Sequence, residues 1–445
     1  MAYGGGIFSS FDKDLLGVYF RSIEGSALRT QNRGFVGMIM QDLGWSPEGV
    51  YSITSADFNR DGRYMFLANT RTEAAFMPLR EVMRNANVAF VFNTAEGGTK
   101  ASNTFATAKY TGSRGNNLTV VISQGLTVDT YDVELKAVID GVLETLLIHR
   151  SITSLAGLPS NNFVDWKESA TLAVTAGMPL TLGVDKTPIV DFDAQFLSEV
   201  SNYDFNVIVY ASADPLKNQA FCEWVKESRD FEGRFFQGVT YNVNSNLASI
   251  YSVSQHRNLC YWVAGLAAKS GMRETIAAIP YDGEHKDLIT NYSAYQMRQA
   301  TLSGQLIFHD MERGINPEAT VFAIYDEVTN LVAPSNYEPR VLKSGHVFRV
   351  RDIIRRWIRA TWFAKYAQKV QYLAARNGIR SDVAAYFDEL KNDVIEPVPL
   401  SEIIAEEPPE TSDMDENMRK RSTYLQYPLS VRAFAGILYV TEVLY

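Results

Sequence analysis

Arg351, Arg355 and Arg359 recur at i, i+4 intervals, with Arg356 beside them, inside the longest helical pattern of the chain, residues 346–377. At about 100° per residue these guanidiniums share one side of a helix, while Val350, Ile354, Trp357 and Thr361 share the other. Such a face recognises carboxylates. It docks on an acidic partner, or it is a solvated face paired with the chain's own acids at 402–410. Asp57, Asn59, Asp61 and Gly62 match the first half of a calcium loop. The bidentate Glu expected six residues after the glycine is Ala68, however, and Arg60 and Arg63 put positive charge beside the ion. A hairpin turn at Asp61-Gly62 is expected instead. His309, Asp310 and Glu312 offer one imidazole and two carboxylates with no second histidine in register, so a polar loop is expected rather than a metal site. No G-x-G-x-x-G, P-loop or G-x-S-x-G follows a strand pattern, which leaves neither a phosphate cradle nor a nucleophile elbow. Five histidines and no recognised constellation point to a chain without catalytic, cofactor or metal site.

The elements that carry the arginines belong to a large chain. Its 445 residues, 46% hydrophobic and 21% charged, can bury several cores and divide into roughly three domains of about 150 residues. A net charge of -9 and a pI near 5.3 oppose whole-surface attraction to nucleic acid or anionic lipid. Cys222 and Cys260 sit in apolar, helix-like surroundings, which favours reduced core thiols in a reducing compartment. The start, MAYGGGIFSSFDKD, has no basic n-region or apolar h-region, and no apolar run approaches the roughly 20 residues that span a bilayer, so neither Sec export nor membrane insertion is expected.

The expected fold class is α/β and β multidomain. The stretches FVGMIM, VYSITSADF, RYMFLAN and VAFVFN, with one helix at 73–83, predict a β-rich domain over 31–105. LTVVISQ, YDVELKAV, FVDWKES and TLAVTAGMPL predict a small β-barrel or sandwich over 106–185. Helices at 194–200, 215–229 and 259–268 alternate with strands at 205–210 and 235–241, an α/β core domain over 186–340 with a mostly buried sheet. An α+β C-terminal domain covers 341–445. Its long helix ends on Gly378 at C′, a second helix covers 381–391, and an acidic, proline-rich surface linker runs over 393–417 before strands at 424–431 and 436–444.

Both ends read as strands with no partner nearby in sequence. Residues 17–23 (GVYFRSI) and 436–444 (GILYVTEVL) are apolar and aromatic, and the glycine- and serine-rich residues 1–14 suit a flexible lead-in within an N-terminal arm over 1–30. Such ends fold back onto their own domain or cross to a neighbouring chain by β-augmentation. Hinges for the second case are expected at 24–30 and 432–436.

The stretches LLGVYFRSI, KYTGSRGNNLTVVI, FNVIVYASAD and TYLQYPLSVRAFAGILYVTEVLY, in this order, resemble the contractile tail sheath proteins of myophages and phage-tail-like particles. The family's Pro-Gly-Val-Tyr motif is matched by Gly17, Val18 and Tyr19, with Leu16 in place of proline. Its Gly-x-x-Gly-Asn-x-Leu/Ile motif is matched by Gly112, Gly115, Asn116 and Leu118. The acidic linker is longer than is usual for the family. The resemblance implies a structural, non-enzymatic subunit that polymerises as stacked rings, hexameric by analogy, around a tail tube, meets baseplate and tail terminator proteins, and is located in a virion tail or tail-like particle assembled in the bacterial cytoplasm. It implies strand exchange through Gly17, Val18, Tyr19, Phe20, Arg21 and Ile23 at one end and Ile437, Leu438, Tyr439, Val440 and Val443 at the other. It also implies tube docking through Arg351, Arg355, Arg356 and Arg359. A non-contractile filament or surface-layer subunit would share the exchanged strands, and an enzyme built on the α/β layer is the reading from another class.

Overall fold

The computed structural model describes residues 4–7, 17–20, 33–41, 43–312, 320–335, 338–410, 412 and 414–432. Near the N-terminus, β1 (Gly4–Ile7) and β2 (Gly17–Phe20) run parallel, Gly4 opposite Gly17 and Ile7 opposite Phe20. A strand therefore stands where a flexible lead-in was expected, because three glycines weaken the strand signal without removing the backbone groups that make a ladder. The chain forms two compact units, one of Phe35–Phe205 and one combining Met1–Gly34 with Asn206–Tyr445.

In the first unit, β3 (Phe35–Met40), β4 (Val50–Thr54) and β5 (Val88–Asn93) lie in the order β3-β5-β4, the first pair parallel and the second antiparallel. Helix α1 (Ser55–Met65) contains Asp57, Asp61 and Gly62, which corrects both the expected hairpin turn and the strand at RYMFLAN. Thr54 caps this helix by accepting from the Asp57 N–H at 3.1 Å, and buried Gly62 is small because Phe58 and Thr70 press against it. Helix α2 (Met77–Met83) lies within the segment expected to be helical. After the two-residue β6 (Ala95–Glu96), the strands β7 (Lys100–Ser102), β8 (Ala106–Thr111), β9 (Leu118–Gln124), β10 (Tyr131–Ile139), β11 (Val142–Ile152), β12 (Val164–Trp166) and β13 (Thr175–Pro179) build sheets of order β11-β10-β9-β13 and β12-β8-β7. Val133, Leu135, Ala137 and Ile139 alternate inward along β10 and meet Leu118, Val120 and Ile122 of β9 and Trp45 in one core. The long edge strand β11 is blunted by a bulge beside Leu147 and by Glu144, which lies on its core-facing side and pairs with Arg63 at 2.7 Å. β14 (Thr187–Pro188) returns to pair with β6, and α3 (Phe192–Val200) follows.

The second unit carries the α/β layer. β15 (Val207–Tyr210), β16 (Gln237–Tyr241), β17 (Ile250–Val253) and β18 (Gln305–Leu306) pair successively in parallel, and the first three are buried almost throughout. Helix α4 (Pro215–Asp230) starts with Asp214 accepting from the Leu216 N–H and Pro215 at N1. Helices α5 (Leu259–Lys269) and α6 (Ala294–Leu302) and the antiparallel pair β19 (Phe308–Asp310) and β20 (Phe322–Ile324) follow. The long C-terminal helix is two helices, α7 (Gly345–Lys365) and α8 (Leu373–Asp388). Gly378 lies inside α8 rather than at a C-cap, because the Tyr366 ring lies 2.8 Å from where a β-carbon would be. The acidic segment is not a loose linker. Val394, Ile395 and Ile403 are at most 2% exposed and join the core of α7 and α8. β21 (Ile404–Glu406), α9 (Glu416–Arg421) and β22 (Tyr424–Gln426) complete the described fold, β21 antiparallel to β22. Among the described residues no helix is long and apolar enough to cross a membrane.

The Gly112, Gly115, Asn116 and Leu118 set is a close-approach device of the first unit. Gly112 has φ +131° and a β-carbon there would collide with the carbonyl of Gly44, while Gly115 lies under Trp45. The Asn116 carboxamide accepts from the Gly183 N–H at 2.8 Å and donates to the Gly183 carbonyl at 3.0 Å, and Leu118 is fully buried. Gly112→Ala is expected to lower the unfolding free energy by about 3 kcal/mol, an overpacking cost with backbone on the other side of the clash. Urea unfolding followed by tryptophan fluorescence measures it, and an unchanged midpoint contradicts the close-approach account.

Candidate assembly sites at the arm roots and helix α7

Of the residues expected to be exchanged, Gly17, Val18, Tyr19 and Phe20 form β2, whereas Arg21, Ile23, Ile437, Leu438, Tyr439, Val440 and Val443 lie outside the described residues. The expected hinge at 24–30 and, apart from Arg432, the one at 432–436 also lie outside them. Both points where the ends join the body are described. Arg33 donates through Nε to the Ala268 carbonyl at 3.1 Å and through Nη2 to the Ala267 carbonyl at 3.0 Å, and the Gly34 N–H donates to Ala268 O at 2.9 Å. These are orphan carbonyls at the C-terminal end of α5, where a cation is favoured. At the other root, the Glu396 N–H donates to Ser430 O and the Arg432 N–H to Val394 O, at 3.0 and 2.9 Å, with an Arg432–Glu396 ion pair at 3.1 Å. Val431 packs against two apolar clusters, one holding Val347 and Phe348 and the other Val350, Ile353 and Ile354.

Those apolar residues are on α7, and every residue from 345 to 355 is buried. The expected solvent-facing arginine face therefore does not exist at Arg351 and Arg355, which are 6% and 4% exposed. The core side holds as expected, with Val350, Ile354 and Thr361 buried. Phe348 lies beneath two guanidiniums, those of Arg351 and Arg229, 4.3 and 4.6 Å from its centroid. Asp352 accepts from both terminal nitrogens of Arg229 at 2.8 and 2.7 Å. One turn earlier, Arg349 donates to Glu327 Oε1 at 2.6 Å, and Glu327 also accepts from Tyr251 Oη at 2.7 Å, Thr275 Oγ1 at 2.8 Å and the Ile276 N–H at 2.9 Å. Sequence reasoning missed Arg229, Arg349 and Glu327, whose partners lie 123 and 22 residues away. The acids that neutralise the helix are thus Asp352 and Glu327 rather than residues 402–410, where Glu407 pairs with Arg376 and Arg419.

Burial alone would raise the pKa of Glu327, but the charge and hydrogen bonds of Arg349 hold it below the ordinary value, and Arg229 does the same for Asp352. Burial pulls the Arg351 and Arg355 guanidiniums below theirs. Arg356 and Arg359 are half-buried and donate to the carbonyls of Phe235, at 2.7 Å, and Gly233, at 2.5 Å. Elsewhere, Asp57 and Asp61 are both ion-paired to Arg60 beside a groove of about 480 Å³. Asp310 Oδ1 accepts from the N–H groups of Glu312 and Val321 and so ties a loop. Among the described residues no group of three or more His, Cys, Asp or Glu is placed to hold a metal ion. Burial pushes the Cys222 thiol up to about 12. Arg355→Glu, which puts a second carboxylate into the buried site of Asp352, is expected to destabilise the fold by about 3–5 kcal/mol. Arg359→Glu loses the partly exposed hydrogen bond to the Gly233 carbonyl and is expected to cost less, on the order of 1 kcal/mol for that bond. Equal denaturation midpoints for the two variants would contradict this assignment of inside and outside.

No protein-family model matches the chain. Among curated proteins it is 24% identical to the phage-like element PBSX protein XkdK of Bacillus subtilis (strain 168), over 63% of this chain and 66% of that protein. It is 22% identical to the uncharacterized protein YqbK of the same organism, over 87% and 86%. Among solved structures it matches the sheath tail protein of Desulfitobacterium hafniense with a TM-score of 0.67 at 22% identity, over 87% of this chain and 93% of that one. The sheath tail protein Lin1278 of Listeria innocua matches with a TM-score of 0.70 at 19% identity, over 85% and 89%. The helical sheath of the anti-feeding prophage in its contracted state matches with a TM-score of 0.54 at 9% identity, over 98% and 99%. The mixed α/β and β architecture read from the sequence is thus the fold of contractile tail sheath proteins.

Proposed function

We propose that this chain is a structural subunit of a contractile tail sheath, stacking in rings around a tail tube and shortening to drive that tube through a target cell envelope. The observation that carries the reading is the sheath fold matched over 85% or more of the chain, together with termini rooted on the same unit. Rings of one chain joined head to tail make heterologous contacts, which give open helical filaments when they do not close. The β21–β22 pair is a suitable acceptor for a neighbour's arm, being a two-stranded sheet with each strand at an edge. Each inserted strand adds several backbone hydrogen bonds at about 1 kcal/mol net apiece. Baseplate and tail terminator proteins are the further partners of this reading, and its location is a tail or tail-like particle. Electron microscopy of the purified protein is expected to show hollow tubes, wider and shorter when contracted. The variant lacking residues 1–23 is expected to remain folded but to lose long tubes. Thin solid filaments, or full-length tubes without residues 1–23, would overturn the reading.

Tube docking belongs to the C-terminal half of α7 and the turn into α8. Residues 353–381 hold seven Lys or Arg and no Asp or Glu. Lys365, Lys369, Val370, Tyr372 and Leu373 are exposed, so charge and apolar surface coincide at the tip, unlike the buried Arg351 and Arg355. An acidic tube surface with an apolar centre is the complementary partner. Lys365→Glu with Lys369→Glu is expected to weaken co-sedimentation with tubes about tenfold, the effect of about 1.4 kcal/mol. Retained binding at all salt concentrations would place the contact elsewhere.

A further inference from the structure

We propose that α7 is the common mount of both terminal arms, and that its two buried guanidinium–carboxylate pairs are register keys that stop this helix sliding when the arms are pulled. The inference rests on the sheath reading for the source of the pull, while its geometry stands within one subunit.

The N-terminal root reaches α7 through α5. Arg33 and Gly34 are bonded to the carbonyls of Ala267 and Ala268. The residues that follow α5 are bonded directly to α7, since Arg349 donates to Gly271 O at 3.1 Å and Glu274 O at 2.6 Å, and a ring nitrogen of His346 lies 2.7 Å from Met272 O. The C-terminal root reaches the same helix through Val431, wedged against both apolar clusters to which α7 contributes. A displacement of either arm therefore arrives at residues 346–354 of one helix.

A helix held only by apolar contacts can shift along its axis at modest cost, because one methyl group substitutes for another. Directional buried charges cannot. Arg349 and Asp352 stand three positions apart with opposite charge and point to different anchors, Glu327 beside β17 and Arg229 at the end of α4. Any slide along the axis separates both pairs at once and leaves charges buried without partners. Gly345 seats the helix start against the hydroxyl of Tyr251, which itself donates to Glu327, so the stop at one end and the first key share a residue. Arg229 also donates to the Phe236 carbonyl, which ties the second key to the strand entering the sheet.

The test uses the full chain with Glu327→Gln and, separately, Asp352→Asn, each keeping shape while removing the charge and replacing one acceptor oxygen by a donor. Circular dichroism checks the fold, hydrogen exchange reads α7 opening in the monomer, and electron microscopy reads polymer length after shearing. The expected result is a folded subunit whose α7 amides exchange roughly tenfold or more faster, the fold-change of losing a charge-assisted hydrogen bond. Its polymers assemble but break short under shear. Arg432→Ala, which removes only the ion pair to Glu396 at the C-terminal root, is expected to shorten sheared polymers while leaving α7 exchange unchanged. Unaltered α7 exchange in both key variants, or sheared lengths equal to the unmodified protein, overturns the proposal. If the unmodified protein forms no tubes, the sheath reading fails, and monomer exchange still decides whether the pairs hold the helix in place.

Discussion

A charged side chain removed from water needs an opposite charge and hydrogen bonds close by, and α7 places Arg349, Arg351, Asp352 and Arg355 where water does not reach. That requirement organises much of the second unit. Glu327 has to approach Arg349, and in doing so it gathers Tyr251 of β17 and the Thr275–Ile276 turn. Arg229 has to approach Asp352, which fixes the last turn of α4 against the middle of α7. Phe348 supplies an aromatic face to the guanidiniums of Arg229 and Arg351, where a ring quadrupole offsets lost hydration. The apolar contacts of Val350, Ile353 and Ile354 supply area. The charges supply uniqueness.

The first unit meets a different constraint, that of bringing backbones together. Gly112 and Gly183 pack at separations that exclude a β-carbon, Gly115 would hold one only tightly, and the paired amide bonds between Asn116 and Gly183 close the same corner of the sandwich. Its longest edge, β11, carries a bulge and a core-facing Glu144, features that discourage another strand from adding there. In a protein whose proposed work depends on strand exchange, limiting where foreign strands pair matters as much as offering them a place.

The two roots show how each end of the chain is joined to the second unit. Arg33 uses unsatisfied helix carbonyls, and Val431 uses a short ladder and an apolar wedge. Both attachments lie in the α5–α7 neighbourhood, so under the proposed role a pull on either terminus is passed to two largely buried helices of the unit. This matches the mechanical role proposed for the chain, in which neighbouring subunits have to stay connected while their packing changes.

What could be read from the sequence was local. FVGMIM, LTVVISQ and the α4 segment disclosed themselves because strand alternation, buried apolar runs and an Asp-Pro helix start are written in consecutive residues. The glycine motif was visible as a pattern, though its partner Gly44 was not. The misreadings share one cause. Gly62 looked like a turn and Gly378 like a cap until Phe58, Thr70 and the Tyr366 ring explained their size. The acidic stretch looked like a linker until Ile395 and Ile403 were found inside a core. The arginine spacing correctly placed a helix with an apolar side but could not say which side met water. By itself the sequence determined the order of elements, the apolar stripe of α7 and the strand character of residues 17–20. The tertiary structure alone decided that Arg351 and Arg355 lie inside, because the acids from outside the helix that act on them, Glu338 and Asp230, are brought near only by folding.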